Sequence, residues 1–282
     1  MEFLVSSTLE YETKFPSTLI MSILAQRSPA QEILSESLQM NDGMTHEEIE
    51  VDGNRFLIVQ TRKVKKFQVT YEAKVDVSFD VLPAREFDPQ SIAQFDGEAI
   101  SFLFPSRYCQ SDELSRYAWD YFGDKGTPYE TVHAICDWIY ENVEYLPGTT
   151  NSRTSAYDTI TQRTGVCRDF AHLGIALCRA LNIPARYLTA YAYQLDPPDF
   201  HALFEAYIGG RWLIFDPTRL SYPNGIVKIA NGKDAADAAV ASIFGRVSGK
   251  EMNVCCKLAP GQDFKPMDRK RLEKKAVALD LE

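Results

Sequence analysis

Three side chains in this sequence can together supply a nucleophile, a base and an orienting acid: Cys167, His201 and Asp216. Cys167 stands at the start of a segment with helical spacing. A thiol there meets the unpaired amides and the positive end of the helix dipole, and both favour thiolate over thiol. A nearby imidazolium adds to the effect. A thiolate–imidazolium pair attacks carbonyl carbon, with an acid behind the ring holding its tautomer. The Cys167 backbone amide would hold the oxyanion, together with a second donor that the sequence does not identify. His201 would protonate the leaving amine. An acyl-thioester then waits for water or an amine.

A hairpin provides a geometric check. Gly209-Gly210 is a two-residue turn signal between the strands expected over 201–208 and 211–215. Ile208 then opposes Arg211, His201 opposes Thr218 and Asp216 opposes Leu203. His201 and Asp216 become diagonal neighbours on one face, about 7–8 Å apart at Cα. A three-residue loop would reverse the parity and remove the argument.

Each residue also has a plainer reading. A buried cysteine is usually a small hydrophobe, and His201 with Asp216 alone is an ordinary cross-strand pair. What favours chemistry is that all three fall at the starts or ends of elements able to meet. Cys178 reads as core, Cys255-Cys256 as strand packing, and Cys109 and Cys136 carry no supporting signal. His172, about one and a half turns beyond Cys167, faces elsewhere and reads as structural. His133 and His46 read as surface residues. Asp169 reads as a first-turn carboxylate that favours the dipole. Tyr187, Tyr191 and Trp212, with Tyr193, lie near the site as substrate contacts, with core packing the alternative for at least two of them.

The elements that must position these residues follow from pattern. From Phe67 to Phe79 every odd position is apolar and every even position polar, the period of a half-buried strand. Asp52-Gly53-Asn54 marks a turn between two short apolar runs. Leu9-Tyr11-Phe15 and Leu19 to Leu24 are further strand candidates. Pro83, Pro89 and Pro105 punctuate the end of this β half. Thr127-Pro128-Tyr129-Glu130 then opens a helix with a capping box and proline at its first position, stopped by Pro147-Gly148. A short helix starts at Ser155 and ends at Gly165. The Cys167 helix presents Phe170, Gly174, Leu177 and Leu181 on one face, with Asn182 as a left-handed cap and Pro184 blocking continuation. A strand runs from Arg186 to Tyr193. The charged tail from Met267 reads as a solvated terminal helix or frayed end.

Composition sets wider limits. Over 282 residues the chain is 45% apolar and 24% charged, as in a globular protein with a real core. Its net charge of −9 lacks the basic footprint that nucleic-acid binding needs. No apolar stretch approaches the ~18 residues of a membrane span. The N-terminus carries acids where a signal peptide carries its apolar core, so a cytoplasmic location and six free thiols are expected. There is no Cys-x-x-Cys pair, which argues against structural zinc.

Gly165-Val166-Cys167-Arg168-Asp169-Phe170-Ala171-His172-Leu173, then Ala180-Leu181-Asn182-Ile183-Pro184-Ala185-Arg186-Tyr187, resemble the nucleophile helix of the transglutaminase-like superfamily. Asp199-Phe200-His201-Ala202 and Trp212-Leu213-Ile214-Phe215-Asp216-Pro217-Thr218 resemble its His and Asp strands. Gly232-Lys233-Asp234-Ala235-Ala236-Asp237 resembles a downstream block in which arginine is more usual at the position of Lys233. The resemblance implies an α+β fold: a papain-like core whose Cys-bearing helix packs on an antiparallel sheet. It also implies Cys167 as nucleophile, His201 as base and Asp216 as orienting acid. The β half resembles the module that precedes this core in bacterial members, an antiparallel β-sandwich-like domain. The expected division is 1–100 for that domain, 101–262 for the core and 263–282 for the tail. Calcium use in the animal cross-linkers rests on regions not found here, so no metal and no cofactor are expected. The expected function is hydrolysis of an amide or peptide bond in a peptide or protein substrate. The alternatives are acyl transfer to an amine, as in cross-linking, and an inactive binding or scaffold protein.

Overall fold

Residues 1–62, 65–84, 87 and 90–279 are described by the computed structural model; Pro89, one of the boundary prolines, lies outside them. Seven strands come first: β1 (Glu2–Thr13), β2 (Thr18–Met21), β3 (Gln31–Met40), β4 (Thr45–Val51), β5 (Asn54–Gln60), β6 (Lys66–Val77) and β7 (Asp80–Pro83). In β6 the odd residues Phe67 to Val77 are all buried, as the alternation requires. Asp52 and Gly53, with φ of 51° and 74°, make the β4–β5 turn. Phe15 lies beyond β1 and is 54% exposed, so it is no part of that strand's inner face. β3 has no sequence signal because it is a sheet edge with few inward residues.

Helices follow: α1 (Gly97–Ile100), α2 (Ser115–Phe122), α3 (Pro128–Asn142), α4 (Ala156–Gln162) and α5 (Cys167–Ala180). Two short strands, β8 (Glu144–Tyr145) and β9 (Thr164–Gly165), pair in parallel between them. α3 starts on the expected capping box of Thr127 and Glu130. It ends before Pro147-Gly148, because residues 144–145 leave to pair with β9. α4 is closed by Arg163 at φ 61°, not by Gly165, which belongs to β9. α5 ends on Asn182 at φ 62°, with the Ile183 amide bonded to Cys178 O and the Asn182 amide to Arg179 O.

The remaining elements are β10 (Ala185–Ala192), β11 (Phe200–Ile208), β12 (Arg211–Phe215), β13 (Ile226–Gly232), β14 (Ala241–Phe244), β15 (Val247–Leu258), α6 (Arg269–Leu272) and β16 (Lys275–Ala278). The core sheet has the order β13-β10-β11-β12-β16-β7, all antiparallel. α5 lies on β11, and Gly174 permits the approach: a Cβ there would stand 2.6 Å from the Phe204 ring. All eight residues of β10 are buried. α5 covers one side, and the β half reaches it from the other: the Tyr191 hydroxyl donates to Ile23 O at 2.6 Å and meets Ser7 Oγ at 3.0 Å.

Strand pairing corrects the sequence division at 1–100, 101–262 and 263–282. The β half is two four-stranded sheets, β15-β1-β6-β3 and β14-β2-β5-β4, so residues 241–258 complete it from the far side of the core. The charged stretch of the tail forms the expected solvated helix, α6, which buries no residue; the chain then enters the core sheet, where β16 pairs with β12 and β7 and Ala276, Val277 and Ala278 are buried. The tail's charges drew the solvated reading, while the short apolar run after them makes the strand. No helix among the described residues is long and apolar enough to cross a membrane.

Candidate active site

Cys167 is the first residue of α5 and is half-buried. The Asp169 carboxylate accepts the Val166 amide at 3.0 Å and fixes the entry to the helix. Asp169 is in turn held by Arg168 at 2.9 Å, so it serves the cap. The β8–β9 pairing sets Tyr145 opposite Gly165, two residues before the cysteine. Its phenol lies close enough to interact with the Cys167 backbone and sulfur. Burial first, then the Cys167 sulfur, pushes the Tyr145 phenol up, so it stays protonated and able to donate.

β11 and β12 pair in the expected register, Ile208 opposite Arg211 and Phe204 opposite Phe215, across Gly209-Gly210 at φ 61° and 82°. His201, at the start of β11, and Asp216, just past β12, meet through Nε2 and Oδ2 at 2.8 Å. Both side chains are almost completely buried, at 1% and 2% exposure. With Nε2 engaged by Asp216, Nδ1 is left for Cys167, whose sulfur is near enough to help raise the ring's pKa. Four further donors converge on the Asp216 carboxylate: the Thr218 amide and hydroxyl at 2.9 and 2.6 Å, and the Ser221 amide and hydroxyl at 3.0 and 2.8 Å.

The electrostatics follow from these contacts. Burial alone would push the His201 imidazolium towards neutrality. The Asp216 charge and hydrogen bond outweigh it and, with Cys167, raise the ring to about 10. Burial opposes ionisation of Asp216, but His201, Thr218 and Ser221 hold its carboxyl below the usual range. Two buried histidines go the opposite way. Burial lowers His133 to about 4 and His172 to about 3, leaving both neutral. Among the thiols, burial pushes Cys109 up to about 12 and drives Cys136, Cys178 and Cys256 upward as well.

Cys167 and His201 open on a cleft of about 630 Å³ that Tyr108, Ser152, Asp199 and the segment 235–242 also line. A smaller cavity of about 200 Å³ lies behind Asp216, and neither Cys167 nor His201 lines it. Of the aromatic residues expected to contact substrate, only Tyr187 lines the cleft. Tyr191 is fully buried and bonded into the β half, as described above. Trp212 packs on Arg186, whose guanidinium carbon is 4.0 Å from its ring centroid, and on Phe102 and Tyr207. Tyr193 packs on Phe3 and Phe264. Tyr191 and Tyr193 share the parity of Tyr187, so alternation does not tell them apart; their packing partners do, and the chemistry of a tyrosine does not reveal those partners. His133 is corrected too: it is wedged between Tyr129 and Phe215, not at the surface. His172 is structural, stacked on Tyr108 with a 5.0 Å centroid separation. Tyr145 was missed, because a two-residue strand leaves no periodicity to read.

Comparison with known proteins places these observations. Residues 116–217 match the model of the transglutaminase-like superfamily, and residues 1–98 match the bacterial transglutaminase N-terminal domain. The structure aligns with that of a putative cysteine protease from Cytophaga hutchinsonii at a TM-score of 0.96 and 50% identity, covering 99% of this chain and 98% of the other. An uncharacterized protein of Mycobacterium leprae is 33% identical over 132 residues, 44% of this chain and 46% of its own. One from Mycobacterium tuberculosis is 30% identical over 142 residues, 45% of each chain. The match thus spans less than half the length of these curated relatives.

Proposed function

The chain belongs to the transglutaminase-like superfamily, with a bacterial transglutaminase N-terminal domain ahead of its core, and from that premise we propose that it hydrolyses amide or peptide bonds through an acyl-thioester on Cys167. One observation carries this reading: a helix-start cysteine faces a buried histidine whose other nitrogen is bonded to a carboxylate at 2.8 Å, at the bottom of an open cleft.

The Cys167 thiolate attacks the carbonyl carbon and the C–S bond forms. The oxyanion would accept hydrogen bonds from the Cys167 amide and from the Tyr145 hydroxyl, whose phenol interacts with Cys167. The His201 imidazolium gives its Nδ1 proton to the amine nitrogen, and the C–N bond breaks. The amine leaves. His201 then takes a proton from water, whose oxygen attacks the thioester. The C–S bond breaks, releasing a carboxylic acid and restoring the thiolate–imidazolium pair. Asp216 keeps Nε2 protonated and the ring aligned throughout.

Hydrolysis is favoured over transfer to an amine because water reaches the open cleft freely. The one carboxylate among the described cleft-lining residues, Asp199, is already bonded to the Phe200 amide at 2.7 Å. Turnover of a randomised, end-capped decapeptide library in ¹⁸O-water, with a labelled primary amine present, tests this. One ¹⁸O atom is expected in each new carboxyl group. Products carrying mainly the labelled amine would establish acyl transfer instead.

A further inference from the structure

We propose that the outer edge of β14 is the main-chain docking rail for the substrate, which enters as an extended polypeptide and pairs with it as an added strand. This rests on the hydrolase reading and names its substrate class.

β14 is the edge strand of its sheet, and no strand among the described residues pairs with its outer side. Its register to β2 sets Ala241 opposite Met21 and Phe244 opposite Thr18, and one residue earlier the Ser22 amide bonds Val240 O at 3.0 Å. In an antiparallel ladder, residues bonded to the partner alternate with residues whose N–H and C=O point away. Val240 is bonded, so Ser242 and Phe244 face β2 while Ala241 and Ile243 present their backbone groups outward.

Exposed edges in folded proteins are usually blunted by charge, proline or a covering element. β14 is short, but it carries neither charge nor proline: its sequence is Ala-Ser-Ile-Phe, with Ile243 and Phe244 41% and 60% exposed. This unguarded edge also runs into the catalytic cleft, because Ala241 and Ser242 line the same cavity as Cys167 and His201. Strand addition to such an edge gains affinity from main-chain hydrogen bonds, with specificity from pockets for alternate side chains.

The wall leading to the edge suits close approach of another backbone. Ala235, Ala236, Ala238, Ala239 and Ala241 line it and project nothing beyond Cβ. It is pre-formed: the Thr189 hydroxyl bonds Ala238 O at 2.8 Å, and the Ala235 amide bonds His172 Nε2 at 3.1 Å. His172 is therefore a positioning residue for this wall, a role that only a neutral ring with a free Nε2 lone pair can fill. Met252, from β15, offers an apolar contact to a substrate side chain across the cleft.

The test uses the full-length chain and the same end-capped decapeptide library, beside capped dipeptide amides and a library N-methylated at alternate amides. In Cys167→Ser, which holds peptide without turning it over, the decapeptides are expected to slow exchange of the Ala241 and Ile243 amides at least tenfold. The N-methylated library should not. Absence of protection overturns the proposal whatever the turnover. Protection without cleavage by the unaltered protein upholds it and removes the hydrolase reading instead.

Ala241→Pro deletes one outward N–H and leaves the β14–β2 bonds alone, at a strand position that tolerates proline. It should lower kcat/KM on decapeptides at least tenfold more than on the dipeptide amides, which are too short to follow the rail. Equal rates with Ala241→Pro and the unaltered protein would refute the rail. If that variant does not fold, the N-methylated library on the unaltered sequence gives the same decision.

Discussion

Asp216→Asn is expected to lower kcat/KM for peptide hydrolysis by about 10²- to 10⁴-fold. The carboxylate accepts five hydrogen bonds, from His201, Thr218 and Ser221, and an amide cannot accept them all. If the asparagine oxygen faces His201, its NH2 group meets the Thr218 donors. If it turns, the NH2 group meets His201 and selects the wrong tautomer. A second readout separates this role from a structural one. Asp216 is what raises His201 to about 10, against the pull of burial. In the unaltered protein activity should therefore persist into alkaline solution and fall as pH rises through about 10, where the ring can no longer protonate the leaving amine. Losing the carboxylate lowers the His201 pKa, so the alkaline limb must move to lower pH. A pH–rate profile of both proteins checks the sign, and an unmoved limb would contradict the assignment.

Tyr145→Phe is expected to reduce kcat by about 10²-fold with little change in KM, the usual consequence of removing one oxyanion donor. The phenol ring stays, with its packing on Phe170 at a 5.7 Å centroid separation, so only the hydroxyl is tested. In the proposed mechanism that hydroxyl meets charge only in the transition state. Its loss should therefore leave substrate binding nearly unchanged. Steady-state kinetics on one cleaved library peptide decides it: a rise in KM at constant kcat would make Tyr145 a binding residue instead.

Much of the site was legible because local rules fix it. Gly209-Gly210 sets a two-residue hairpin, whose register alone brings His201 and Asp216 together. Gly165 to Pro184 carries the start, apolar face and cap of α5, and so the place of Cys167. What sequence could not yield is pairing at long range. Nothing in residues 241–258 announces that their partners are β1 and β2, so the β half was cut short and the cleft wall missed. Tyr191 failed for a related reason. A strand buried on both faces loses its alternation, and only the docking of Ser7 and Ile23 shows what its ring meets. Tyr145 depends on a two-residue parallel pairing across α4, which no periodicity reports.

The claim at the centre is that Cys167 and His201 form a reactive thiolate–imidazolium pair. Site-mapped alkylation by iodoacetamide at pH 6, on the unaltered protein and on His201→Ala, addresses it most directly. The imidazolium is expected at that pH, and buried Cys109, Cys136 and Cys178 should stay inert as thiols. The account predicts that Cys167 is modified at least ~100-fold faster in the unaltered protein than in His201→Ala. Equal rates at Cys167 in the two proteins, or faster modification at another cysteine, would contradict it.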